Sequence, residues 1–171
     1  MMTKDIKMKI ISRRYDVEDS LFSKIVAEQN ENEIEEDIFF DDLSFDEEEI
    51  IEINTEGTMK IDGTQVSLVY EESEITGMEG SSTVISFDSD NSGFVSMIRE
   101  GAVSTTLLFE RGKRHHCVYN TPIMPFEICV KTLTVENEIL TSGRMKLDYI
   151  IEIRGAKAER NKFEISVIEN K

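Results

Sequence analysis

Both histidines and both cysteines of the chain fall within sixteen residues, RHHCVYNTPIMPFEIC at positions 114–129. Thiolates and imidazoles bind zinc and act as nucleophile and base, so this stretch is where metal or covalent chemistry would concentrate. The outcome depends on which side chains share a face. If TPIMP joins two antiparallel strands, Cys117 opposes Cys129 and Val118 opposes Ile128. His115, Cys117 and Cys129 then stand together with Tyr119, Glu127 and Lys131. His116, Val118 and Asn120 stand on the other, apolar face with Phe126, Ile128 and Val130. A two-residue turn at Arg111-Gly112 likewise sets His116 opposite Leu107 and Val118 opposite Thr105, which turns this set inward. The cluster is therefore split. The outer trio lacks the fourth ligand and the supporting shell of a structural zinc site, and neither thiol has a paired base in a cleft. No metal ligand, no catalytic residue and no cofactor is assigned, and the chain is read as non-enzymatic.

An inward histidine has two readings. It is a satisfied core residue, or it belongs to a pocket with the polar residues that fall on the inward parity of their own strands. Those residues are Tyr70, Thr105, Asn120, Thr132 and Tyr149, and with His116 they form the candidate ligand-binding set. A few polar groups converging in an apolar cup suit a small, partly apolar ligand.

The elements that position these residues read as strands. Ile51, Ile53, Thr55, Gly57, Met59 and Ile61 alternate up to a tight turn centred on Asp62-Gly63, and Val66, Leu68 and Tyr70 follow at matching parity. Thr83, Ile85 and Phe87 precede the turn DSDNSG. Phe94, Ser96 and Ile98 lead to Glu100-Gly101, and Val103, Thr105, Leu107 and Phe109 lead to Arg111-Gly112. Met145 to Ile153 and Phe163 to Val167 complete a series of nine or ten strands. A meander of this kind removes its open edges by closing, so the fold class is all-β, a closed up-and-down antiparallel barrel in one domain spanning 1–171.

Charge is distributed unevenly. The net charge is −16, but residues 16–49 hold fifteen acidic residues against one basic, Lys24, a net of −14; the other residues carry 20 acidic and 18 basic. This acidic block argues against nucleic-acid binding, which depends on neutralising phosphates with Lys and Arg. Ser20 is placed to cap a short helix with Leu21, Phe22, Ile25 and Val26 along one stripe, while Ile34, Ile38, Phe39, Leu43 and Phe45 lie scattered among carboxylates. The block is either a solvated, partly disordered loop or a docking segment, and the latter gives the alternative function: a protein-interaction module acting through residues 18–48. No apolar run is long enough for a membrane helix, and two cysteines make no disulfide framework. The expectation is a soluble, cytoplasmic protein with no membrane partner.

The stretches TEGTMKIDGTQVSLVYEESEITGMEGSSTVISF, SMIREGAVSTTLLFERGK, YNTP and GRMKLDYIIEIRG resemble the YwiB-like family of small bacterial proteins, over about residues 4–14 and 50–169. The order and spacing of the YEE…TGM, R-x-G and Y-x-TP elements carry the likeness. Two departures are the acidic block, which stands as an insertion between the first two strands, and Met124-Pro125, where the family has an aromatic-glycine pair. The resemblance implies a calycin-like, that is lipocalin-like, β-barrel and a bacterial origin. The family is a domain of unknown function, so the likeness assigns no activity to any residue.

Overall fold

The computed structural model describes residues 1–17, 45–72, 80–101, 104–120, 123–153 and 158–169. They form ten strands: β1 (Met2–Val17), β2 (Phe45–Asp62), β3 (Gln65–Glu71), β4 (Ser82–Asp88), β5 (Asn91–Glu100), β6 (Ser104–Glu110), β7 (Arg114–Asn120), β8 (Pro125–Glu138), β9 (Arg144–Ile153) and β10 (Ala158–Glu169). Each strand pairs antiparallel with its neighbour in sequence, and β1 pairs with both β2 and β10, which closes the barrel. Closure gives every strand a paired neighbour on both sides, which is how a meander of alternating strands removes its open edges. The expected short helix in the acidic block lies outside the described residues.

Alternation fills the interior. Ile6, Met8, Met59, Leu68, Ile85, Val95, Met97, Leu107, Phe109, Met145, Leu147 and Ile165 are buried side chains of one continuous core. Among the described residues these side chains pack against one another along the middle of the barrel. The β2–β3, β4–β5, β6–β7 and β8–β9 turns gather at one end. At the other end, here called the open end, lie Val17, Glu71, Glu100, Asn120 and Ile153, the last residues of the odd-numbered strands.

Three turns depart from the sequence reading. The first hairpin pairs Asp62 with Gln65, so its centre is Gly63-Thr64 rather than Asp62-Gly63, and Gly63 takes the positive φ of 61° that a glycine tolerates. This shifts the pairing by two residues, and the faces are unchanged. At the second, β5 bulges: Asp88 pairs with Asn91 but Phe87 with Val95. Val95 and Met97 face the core, and Phe94, Ser96 and Ile98, expected on the inward parity, stand on the outer face, half-buried. The third lies between β6 and β7, whose pairing is confined to Ser104 with Asn120 and Thr105 with Tyr119. Below those rungs the strands part, and β8 fills the gap. Thr132 Oγ1 accepts from Glu110 N (3.3 Å), Gly112 N donates to Thr132 O (3.0 Å), and Thr132 N donates to Lys113 O (3.1 Å).

Candidate functional site

Polar side chains enter the barrel where the apolar alternation of several strands runs out toward the open end. Glu72, just beyond β3, is buried and accepts the Thr83 hydroxyl at Oε1 (2.5 Å). Arg99, two residues beyond the core residue Met97 on β5, places its Nε 3.5 Å from the same oxygen. The pair is well shielded, with 13% of the Arg99 side chain and 2% of the Glu72 side chain exposed. The terminal nitrogens of Arg99 have no other partner among the described residues. Tyr70 packs beside this pair, over Gly57. A Cβ on Gly57 would collide with Met8 Cε and the Val69 carbonyl, so the missing side chain is what lets Tyr70 and Met8 approach.

The surroundings hold both inward phenols neutral. Burial raises the Tyr70 hydroxyl far above the ordinary phenol range, and the Glu72 carboxylate adds to this. Burial pushes Tyr149 up to about 12, while the Arg99 charge pulls in the opposite direction. Asn161 pairs across the sheet with Tyr149, and its buried Nδ2 has no hydrogen-bond partner among the described residues. A buried amide without a partner costs about 1–3 kcal/mol and marks a place where a hydrogen-bond acceptor would be favourable.

Beside this cluster a cleft of about 510 Å³ opens at the seam of β5, β6 and β7, where the strand pairing is thin. Arg99, Thr105 and Cys117 line it from the inward parity, and Ile98, Val118 and Asn120 from the outer. Thr105 Oγ1 donates to Val118 O (3.4 Å) and bridges the two strands at its margin.

Of the six sequence candidates, Tyr70, Thr105, Thr132 and Tyr149 are buried on the inward face. His116 and Asn120 are not: both are exposed on the outer face. The cause is one residue of register. Cys117 pairs with Ile128 and His116 with Cys129, where the expected pairs were Cys117 with Cys129 and Val118 with Ile128, and an odd slip exchanges the faces of a strand. On the β6 side, Thr105 meets Tyr119 instead of Val118, because the parted strands absorb one extra residue. The expected outer trio is thereby broken up. Cys117 turns inward against the core, with His115 on the same parity, and Cys129 alone points outward. Both thiols are free, and the two side chains stand on opposite faces. Among the described residues no group of three His, Cys, Asp or Glu is placed to hold a metal ion. Burial, then the neighbouring Cys129 thiol, push Cys117 up to about 11.

Sequence reasoning passed over Glu72, Arg99 and Asn161. Arg99 was legible once the β5 parity was right, since it continues the Val95, Met97 series by two. Asn161 precedes Phe163 and Ile165 at the same spacing, and it was missed because the last strand was read as starting at Phe163, whereas β10 begins at Ala158.

Among the described residues no helix is long and apolar enough to cross a membrane. No curated protein matches the sequence. In fold, the chain is similar to the crystal structure of the ywiB protein from Bacillus subtilis, with a TM-score of 0.62 at 15% identity over 96% of this chain and 92% of that one. The match at this identity shows a shared barrel fold. Residues 42–165 match the family model described as a domain of unknown function, DUF1934, and the chain belongs to that family.

Proposed function

We propose that the barrel is a non-enzymatic, calycin-like binding module, and that its ligand is a small, partly apolar molecule bearing a carboxylate or similar oxyanion, held in the cleft between β5 and β7. The observation that carries this reading is Arg99: a shielded guanidinium that lines the cleft, whose Nε is taken by Glu72 and whose terminal nitrogens have no other partner among the described residues. A guanidinium fork matches a carboxylate in two parallel hydrogen bonds, and shielding from water strengthens them. Glu72 does not depend on Arg99 alone, since Thr83 also donates to it. Thr105 supplies a hydroxyl, and Ile98 and Val118 supply apolar wall.

Native mass spectrometry of the purified full-length chain tests the reading. A retained adduct of small-molecule mass is expected, lost in Arg99→Gln. Where the site is purified empty, short aromatic and aliphatic carboxylates are expected to raise the melting temperature of the unchanged chain and leave that of Arg99→Gln where it was. Absence of both the adduct and any carboxylate-dependent shift overturns it.

A further inference from the structure

The cleft at the seam of β5, β6 and β7 carries an acceptor set as well as a guanidinium. Arg99 pairs with Thr83 on the inward parity and Glu100 with Ser82 on the outer, so consecutive residues of β5 send opposite charges to opposite faces. Both nevertheless line the cleft, Arg99 from its shielded wall and Glu100 from its exposed rim. Ser104 opens β6, Asn120 closes β7, and the two pair with each other on the parity of Glu100 and line the same rim. The rim therefore presents a carboxylate, a hydroxyl oxygen and an amide oxygen side by side. These are three acceptors, and an ammonium group has three donors.

The charge count around the cleft decides what kind of ligand it balances. Among the described residues that line it, Arg99 is the one cation, and its charge is already met by Glu72. Cys117 adds no charge at neutral pH, because burial pushes its thiol up to about 11. The other charges at the margin are all negative. Glu71 stands in one cross-strand row with Ser82 and Glu100, and Glu127 pairs with Val118. Glu71, Glu72, Glu100 and Glu127 thus surround a single guanidinium, in a chain whose net charge is −16. A ligand that carries only a carboxylate brings one more negative charge to a shielded pair that is already neutral, and it does so against the field of the whole molecule. A ligand that also carries an ammonium brings no net charge, and each of its ends has a partner of opposite sign.

We propose that the cleft takes a zwitterion of the amino-acid class, its carboxylate on Arg99, its ammonium on Glu100, Ser104 and Asn120, and its apolar part against Ile98 and Val118. The inference rests on the binding reading of the cleft given above and adds the cationic half of the ligand. Because the two charged side chains leave opposite faces of one strand, a spacer separates the charges of the ligand. The cleft volume of about 510 Å³ accommodates such a molecule. Three probes of similar length that differ in their charged ends, 6-aminohexanoate, hexanoate and hexylamine, test the proposal in chemical-shift titrations of the full-length chain, read at the amides of Ile98, Ser104 and Val118. The zwitterion is expected to bind about fivefold more tightly than hexanoate, the upper range for one partly exposed ion pair, and more tightly still than hexylamine, which leaves Arg99 unused. In Glu100→Gln, a neutral change at an exposed position, 6-aminohexanoate is expected to fall to the affinity of hexanoate, while hexanoate itself loses nothing. In Arg99→Gln both are expected to lose binding. Equal affinity of 6-aminohexanoate and hexanoate for the unchanged chain overturns the zwitterion and leaves the carboxylate reading standing. So does an advantage of 6-aminohexanoate that survives Glu100→Gln. Hexylamine binding as tightly as 6-aminohexanoate overturns the role of Arg99 in the proposal. If none of the three moves these resonances, the binding reading of the cleft falls, and the zwitterion with it.

Discussion

At Arg99 a positive charge stands at the end of a largely apolar barrel core, and its carboxylate partner, Glu72, is more deeply buried than itself. Removing one member of such a pair leaves the other buried and uncompensated, whereas removing both leaves no charge to desolvate. Arg99→Met is therefore expected to lower the unfolding free energy by about 2–4 kcal/mol, and Arg99→Met with Glu72→Gln to recover at least half of that loss, as read from urea midpoints. A double variant as unstable as the single one would show that the two groups do not act as a pair. A second expectation concerns Cys117. Its thiol, pushed up to about 11 mainly by burial, is neutral at pH 8, and the thiolate is the reacting species. In a Cys129→Ala background its rate with iodoacetamide is expected to keep rising to about pH 11, where a free thiol levels off near pH 9. A plateau near pH 9 would place Cys117 in water. At Gly57, any Cβ meets the Val69 backbone, so Gly57→Ala is expected to cost about 1–3 kcal/mol through overpacking around Tyr70.

Strand by strand, what the sequence specified depended on how far each pattern was two-sided. β3, β4 and β9 each carry one dominant apolar series at every second position, and Leu68, Ile85 and Leu147 stand where that series put them. β5 offers two rival series, Phe94-Ser96-Ile98 and Val95-Met97-Arg99. The bulge after Phe87, which local composition does not encode, chose the second and brought Arg99 inside. β7 offers His116-Val118-Asn120 against His115-Cys117-Tyr119, with no strong apolar bias, so its face was decided by the turns at either end, and both differed by one residue. A one-residue slip inverts every side chain, whereas the two-residue shift at Gly63 left the β2–β3 faces correct. The barrel was legible, and so were Tyr70, Thr105, Thr132 and Tyr149; the polar cluster around Arg99 was hidden by an odd register. What fixes that register below Thr105 is Thr132, which takes the backbone partners that β6 and β7 give up when they part. Thr132→Val keeps the shape and removes the side-chain acceptor of the half-buried Glu110 amide. It is expected to cost about 1–2 kcal/mol and to speed hydrogen exchange at Glu110 more than at Leu107. Uniform exchange along β6 would show that the side-chain bond does not hold the seam.

Across the whole molecule, closure of the barrel couples local ionisation to global unfolding, because a phenol inside it meets water only when the barrel opens. The folded chain holds the Tyr149 proton up to about pH 12, whereas an unfolded tyrosine releases it near pH 10. Between those values the native state binds more protons than the unfolded state, so the unfolding free energy falls as pH rises. The sign is that of an acid whose folded pKa is raised: stability is unaffected below the unfolded value and is lost progressively above it. One such phenol removes about 1.4 kcal/mol per pH unit across that window. Tyr70, raised further by burial and by Glu72, adds a loss of the same sign that starts at the same pH and does not stop by pH 12. Urea midpoints are therefore expected to hold steady from pH 8 to 9.5 and to fall steeply above pH 10. In Tyr149→Phe, which keeps the ring packed against Phe109 at a centroid distance of 4.6 Å, the slope above pH 10 is expected to be shallower by the equivalent of one proton. If Tyr149→Phe and the unchanged chain lose stability at the same rate, Tyr149 ionises in the folded barrel and the open end admits water to the residues beside Asn161.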